Sequence, residues 1–154
     1  MLSRQKLPVL DGTAELAAEG VPRGAYVLAG TDGAPDVVLV GTGSEVALCL
    51  AARDLLATGG IAARVVSFPS WDLFAAQPED YRAAVLPDGV PRLAVEAATS
   101  FGWERYANDS ISIDRFGASA PGPEVMAHLG FTPDHVAERA RSLVRGGDAE
   151  GTRR

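Results

Sequence analysis

Few residues of this chain combine reactive side chains with spacings that would let them act together. Gly41-Thr42-Gly43-Ser44-Glu45-Val46 follows an apolar run. Glycines at a strand-to-helix turn let the backbone approach a dinucleotide pyrophosphate. Such a site also needs a small third residue for close helix–strand packing and an acid about 20 residues on. Val46 holds the third place and Ser67-Phe68 the position of the acid. The pattern therefore reads as a tight turn and a capped helix, with only the attraction for anions of any helix start. Glu96 closes an apolar segment, where ligand-facing groups of open α/β sheets gather; the structural alternative is a carboxylate paired with a nearby arginine or capping a helix. Trp103 and Tyr106, three apart, suit packing or an interface better than substrate stacking. His128 and His135 stand on two helices, without the His-x-x-x-His or Glu-x-x-His spacing of a metal site. Cys49 sits in an apolar helical stretch with no histidine beside it, a packing thiol and not a nucleophile. Asp72, Glu79 and Asp80 read as a solvated surface. No catalytic, cofactor-binding or metal-binding residue emerges from the spacing.

The elements that must position these groups alternate between strands and helices. Residues 1–24 are punctuated by Pro8, Gly12, Gly20, Pro22 and Gly24 and read as an arm, helical only over 14–18. Tyr26-Val27-Leu28-Ala29 and residues 36–40 are strands, and Asp32-Gly33 between them predicts a hairpin. A helix follows to about Thr58, with Thr42 and Glu45 at capping-box spacing and Gly59-Gly60 as its stop. Residues 62–68 form the next strand, so strand, helix and strand make a right-handed parallel crossover. Short helices are expected at 71–76, 78–86 and 101–106, strands at 93–97 and 110–114, and helices at 123–129 and 133–144. Gly146-Gly147 opens a polar tail, 147–154. The fold class is α/β: a three-layer sandwich around a mostly parallel sheet of about five strands, one of them antiparallel.

A chain of 154 residues is long enough for one real core. Its net charge of −6, with Lys6 as its only lysine, argues against nucleic-acid binding. The longest apolar run, 46–52, is far too short to span a bilayer, and no stretch of signal-peptide length follows Met1; the cytoplasm is the expected location. A single cysteine excludes an internal disulfide.

Several ordered segments carry a more specific message: Leu2-Ser3-Arg4-Gln5 with Leu7-Pro8, Gly24-Ala25-Tyr26-Val27-Leu28, Gly41-Thr42-Gly43-Ser44-Glu45-Val46, Arg64-Val65-Val66-Ser67-Phe68-Pro69-Ser70, Val95-Glu96-Ala97, and Phe116-Gly117 with Ser119-Ala120-Pro121. In this order they resemble the carboxy-terminal domain of transketolases, enzymes that transfer a two-carbon ketol unit between sugar phosphates in the pentose phosphate pathway. The resemblance implies that residues 1–24 correspond to the end of the preceding pyrimidine-binding domain, residues 25–146 to the carboxy-terminal domain and 147–154 to a polar tail. It implies that Arg4 binds the phosphate of the sugar substrate, a role suited to a permanently charged, bidentate guanidinium. Thiamine diphosphate and magnesium belong to the complete enzyme, a homodimer, and their Gly-Asp-Gly and Asn ligands have no counterpart here. Thr31-Asp32-Gly33 lies in a turn, and Asn108 is the only asparagine. The expected partners are the remaining transketolase domains, in cis or in trans, and the chain alone is expected to be inactive. It reads as a fragment, a split-gene product or a separate subunit. The alternative is a free-standing α/β binding or interaction module without transketolase activity.

Overall fold

Val37-Val38-Leu39-Val40 is apolar on both of its alternating faces, so a strand formed here must be covered on both sides. The computed structural model, which describes the backbone of residues 6–151 and the side chains of residues 6–146, puts it at the centre of the molecule. The strands are β1 (Tyr26–Ala29), β2 (Val37–Gly41), β3 (Ala63–Ser67), β4 (Arg92–Val95) and β5 (Asp109–Ile111), in the spatial order β1-β3-β2-β4-β5. β2 runs parallel to β3 and β4, and β4 parallel to β5; β1 alone is antiparallel, against β3.

Helices cover both faces. α1 (Thr13–Gly20), α2 (Val46–Ala57) and α6 (Pro133–Gly151) lie on one, and α3 (Trp71–Ala75), α4 (Glu79–Val85) and a 3-10 turn at Trp103–Arg105 on the other; α5 (Gly122–His128) leads into α6. Strand alternation feeds the two cores separately. Val37, Leu39, Val65, Leu93 and Val95 point into the α2/α6 layer, while Val38, Val40, Val66 and Ala94 point into the α3/α4 layer. These residues are fully buried, so each layer adds roughly 1.5–3 kcal/mol per large side chain. This is the expected three-layer α/β sandwich.

Three local expectations give way to tertiary forces. β1 and β2 do not form a hairpin: Tyr26 lies opposite Ser67 and Val27 opposite Val66, so β1 pairs with β3. β2, apolar on both faces, is taken by two parallel neighbours whose connections bring the covering helices, which leaves β1 at the edge. The 42–45 capping box does not form. Thr42 makes no side-chain cap bond, the chain turns through a 3-10 step at Gly43–Glu45, and Glu45 itself occupies the position before α2. α6 continues through Gly146-Gly147 to Gly151 instead of ending at Val144. Two glycines cost only about 1 kcal/mol each in a helix already propagating, with helix-compatible residues beyond them. Before β1, α1 is attached: Leu10 and Ala17 pack on the α2/α6 core, and Gly20 is buried against the Tyr26 ring.

Candidate functional site

The carboxyl ends of β2, β3, β4 and β5 meet on one edge of the sheet. Because β1 is antiparallel, its beginning lies on that same edge, with Tyr26 beside Ser67. In open α/β sheets this edge is where ligands are held. Here, hydrogen bonds among its own side chains complete it.

At the end of β2, Glu45 is only 4% exposed. The Ser44 hydroxyl donates to Glu45 Oε1 at 2.6 Å. The carboxylate stands at the start of α2, where the helix dipole favours negative charge, so the chain itself supplies the anion that a phosphate would otherwise supply. One turn further, the Cys49 thiol is pushed far up, first by burial and second by the Glu45 charge. The thiolate is the nucleophilic form, and both effects oppose it.

At the end of β4, Glu96 pairs with no arginine among the described residues and caps no helix there. Its Oε2 accepts the Trp103 indole N–H at 2.6 Å, and its own N–H donates to the Ile111 carbonyl at 3.1 Å. Trp103 is buried in a cluster of edge-on rings, 5.2 Å from Trp71 and 5.8 Å from Phe68, with Tyr106 at 4.9 Å from Phe68. Both aromatic residues therefore pack.

Beyond β5, Asp114 reaches back to the β4 loop. It accepts the Thr99 hydroxyl and the Ser100 N–H, each at 2.9 Å. The Ser100 amide first, then the Ser100 and Thr99 side chains, hold its carboxyl below the usual carboxylate range. At the end of β3, Ser70 donates its N–H to the Gly24 carbonyl at 2.9 Å, and its hydroxyl accepts the Leu73 N–H at the start of α3. A side chain at Gly24 would be driven into the Ser70 and Phe74 backbone, and its φ of +84° suits glycine.

The other candidates lie apart. His135, in the first turn of α6, brings Nδ1 to the Gly130 carbonyl at 2.8 Å, while His128 ends α5. Asp72, Glu79 and Asp80 are exposed. Among the described residues no group of three or more His, Cys, Asp or Glu side chains converges to hold a metal ion, and no helix is long and apolar enough to cross a membrane. Arg4 lies outside the described residues. Sequence reasoning missed the burial of Glu45, the Asp114 clamp and the exposure of Phe116. An Asp fifteen residues from a Thr-Ser pair carries no local signal, whereas the glycine after Phe116 was a visible mark of a loop.

Five mixed strands, with a reversed edge strand and helices on both faces, define a three-layer α/β domain whose carboxyl edge is closed by its own carboxylates. Comparison with known proteins narrows the class. The chain belongs to the family of transketolase-like carboxy-terminal domains, whose model matches residues 24–132. Transketolase of Geobacillus stearothermophilus is 52% identical over 149 residues, covering 94% of this chain and 22% of that protein. The structure of transketolase from Leishmania mexicana superposes with a TM-score of 0.87 at 41% identity, over 93% of this chain and 21% of that one. A Pichia stipitis transketolase solved in complex with sedoheptulose 7-phosphate superposes at 0.86 with 44% identity, over 95% of this chain and 21% of that one. The chain thus spans about a fifth of the length of the transketolases it matches and corresponds to their carboxy-terminal part.

Proposed function

We propose that this chain works as the carboxy-terminal part of a transketolase, in the transfer of a two-carbon ketol unit between sugar phosphates. The observation that carries the reading is the 52% identity sustained over 94% of the chain. In this reading residues 1–24 belong to the end of the preceding pyrimidine-binding domain, 25–146 form the carboxy-terminal domain, and 147–154 lie beyond it. The remaining domains, on the same polypeptide or a separate one, complete a dimeric cytoplasmic enzyme.

Thiamine diphosphate and magnesium fall to those other domains. The residues of this chain do not fit them: the Asp32-Gly33 turn is closed by the Thr31 hydroxyl on the Gly33 carbonyl. The only asparagine, Asn108, accepts the Arg92 N–H at the opposite, amino end of β4.

Arg4 is the residue through which this chain touches substrate, its guanidinium meeting the phosphate of the sugar away from the bond that breaks. A hydrogen bond to a charged group contributes roughly 1.5–3 kcal/mol, or about ten- to a hundred-fold in kcat/KM. Arg4→Ala, assayed in the enzyme assembled with its other domains, should lose that much with a phosphorylated acceptor and little with an unphosphorylated one. An equal loss with both acceptors, or none with either, rules out the phosphate role.

A further inference from the structure

Aspartate stands directly before glycine three times in this chain, at Asp11-Gly12, Asp32-Gly33 and Asp88-Gly89. Such a pair carries its own intramolecular chemistry. The glycine nitrogen closes a five-membered ring if it bonds to the aspartate Cγ, and no Cβ on the glycine obstructs its approach. Attack requires a carboxyl free to turn toward the nitrogen, an N–H not already donated, and backbone free to rotate on either side. The fold meets these requirements unequally. Asp11-Gly12 is pinned on both sides. The Thr13 N–H and hydroxyl donate to the Leu10 carbonyl at 3.3 and 2.6 Å, and the Gly12 carbonyl accepts the Leu16 N–H at 3.0 Å. At Asp88-Gly89 the Arg92 Nη2 atom donates to the Asp88 carboxylate at 3.3 Å and to the carbonyls of Leu86 and Pro87. One guanidinium thus ties the carboxylate to the two residues before it. Asp32-Gly33 has neither restraint. Both residues are exposed, and a Cβ built on Gly33 would meet nothing within 4 Å. Among the described residues, no backbone group of 31–35 bonds to another backbone group, and neither the Asp32 carboxylate nor the Gly33 N–H has a partner. The tie across this turn is the Thr31 hydroxyl on the Gly33 carbonyl, which leaves the nitrogen free.

We propose that Asp32-Gly33 is a site of spontaneous covalent modification, where this chain converts aspartate to isoaspartate. The Gly33 nitrogen bonds to the Asp32 Cγ and a Cγ–O bond breaks. The oxygen leaves as water, carrying the proton of the nitrogen and one taken up by the carboxylate. The cyclic imide then adds water at the former main-chain carbonyl carbon of Asp32, and the bond from that carbon to the Gly33 nitrogen breaks. The oxygen stays on the carbon, which becomes a free carboxylate; one proton returns to the nitrogen and the other is released. The main chain now runs through Cβ and Cγ and is longer by a methylene. No oxidant, reductant or cofactor is consumed. Anchors on either side confine the change. Before the turn, Arg53 Nη2 donates to the Gly30 carbonyl at 3.1 Å. After it, the Asp36 N–H donates to the Ala62 carbonyl at 2.8 Å, and the Asp36 carboxylate accepts the Ala62 N–H at 2.7 Å. The longer turn is therefore absorbed ahead of β2, on the edge of the sheet opposite Glu45 and Glu96.

The test keeps the purified chain folded in neutral buffer for weeks, digests samples at intervals and measures the isoaspartate fraction of each Asp-Gly peptide by electron-transfer fragmentation. Isoaspartate should form at Asp32 at least about threefold faster than at Asp88, whose exposed ion pair is a weak restraint, and more slowly still at Asp11. In denaturant the three rates should converge, because the restraints that separate them are gone. Gly33→Ala should suppress conversion at Asp32, since a methyl group obstructs the attacking nitrogen. It should leave the melting temperature unchanged or slightly raised, because Gly33 has open space around it and is not among the glycines with positive φ. Native conversion at Asp11 or Asp88 as fast as at Asp32 overturns the assignment, and so does undiminished conversion at Asp32 in Gly33→Ala. A native ranking that persists unchanged in denaturant overturns it as well, because sequence neighbours and not the fold would then set the order.

Discussion

Glu45 and Cys49 sit one helical turn apart at the start of α2, and their surroundings decide what each can do. The carboxylate has a hydroxyl partner and a helix N-terminus; the thiol has neither a base nor a positive charge, and its acidity is suppressed by burial and then by Glu45. A water-soluble thiol reagent should leave Cys49 unlabelled in native buffer and label it fully once denaturant unfolds the chain; rapid native labelling would contradict the buried, inert reading. Asp114 behaves oppositely because it is open to water and hydrogen-bonded in its charged form. Its pKa is lowered in the folded state, so its contribution is complete above the unfolded value and is lost as the pH falls through the folded one. Protection of the Ser100 amide, measured against its intrinsic exchange rate at each pH, should hold near neutrality and fall only in acid, below the ordinary carboxylate range. In Asp114→Asn that extra acid-induced step should vanish. A Ser100 amide indifferent to acid in the unsubstituted chain would show that the clamp does not hold the loop in solution.

At the scale of the element, α4 shows how short helices survive. Seven residues give too few internal bonds for independent stability. Two arginines at the beginnings of strands supply partners for carbonyls at and just past its C-terminal end. Arg64 Nη1 donates to Ala84 O at 2.7 Å, and Arg92 Nη2 to Leu86 O and Pro87 O at 3.1 and 2.8 Å. Positive charge at a helix C-terminus also opposes the dipole. Arg92→Met keeps much of the packed stem and removes these bonds, and denaturant melts should show a loss of roughly 1–2 kcal/mol. Asp88, which also pairs with Arg92, is fully exposed; surface pairs of this kind contribute little, so Asp88→Ala should leave the midpoint where it was. Equal effects from the two substitutions would shift the credit from the helix end to the ion pair.

For the whole molecule, β2 is the shared wall of two cores. Leu39 and Val38 are adjacent in the chain and fully buried on opposite faces. Neither core can open without exposing a strand that the other core also uses, so the two should unfold together. Leu39→Ala should cost about 2–5 kcal/mol, although the indoles that report on structure, Trp71 and Trp103, lie in the other layer. Fluorescence and far-ultraviolet circular dichroism should give coincident denaturant transitions for both the unsubstituted chain and Leu39→Ala. A tryptophan transition unmoved by Leu39→Ala would show that the layers unfold independently.

Hydrophobic period, glycine and proline punctuation and helix capping residues act over a few neighbours, so they are legible along the chain. They sufficed for five strands, the covering helices, the parallel crossover from β2 to β3 and the three-layer class. The ordered segments from Gly24 to Pro121 were enough to recognise the family, because each preserves a turn or a strand end at a set place in the fold. Which strands pair is a different question. Asp32-Gly33 favours a hairpin locally, but a hairpin would give β1 one of the two flanks of β2, and the buried parallel partners β3 and β4 occupy both. The same holds for the carboxyl edge. Glu96 finds an indole seven residues away, Asp114 finds Thr99 and Ser100 across two loops, and Glu45 is buried by its own helix start. Phe116 looks like any strand residue until the fold leaves it in solvent. Such partnerships depend on distances between segments remote in sequence, which only the folded chain sets.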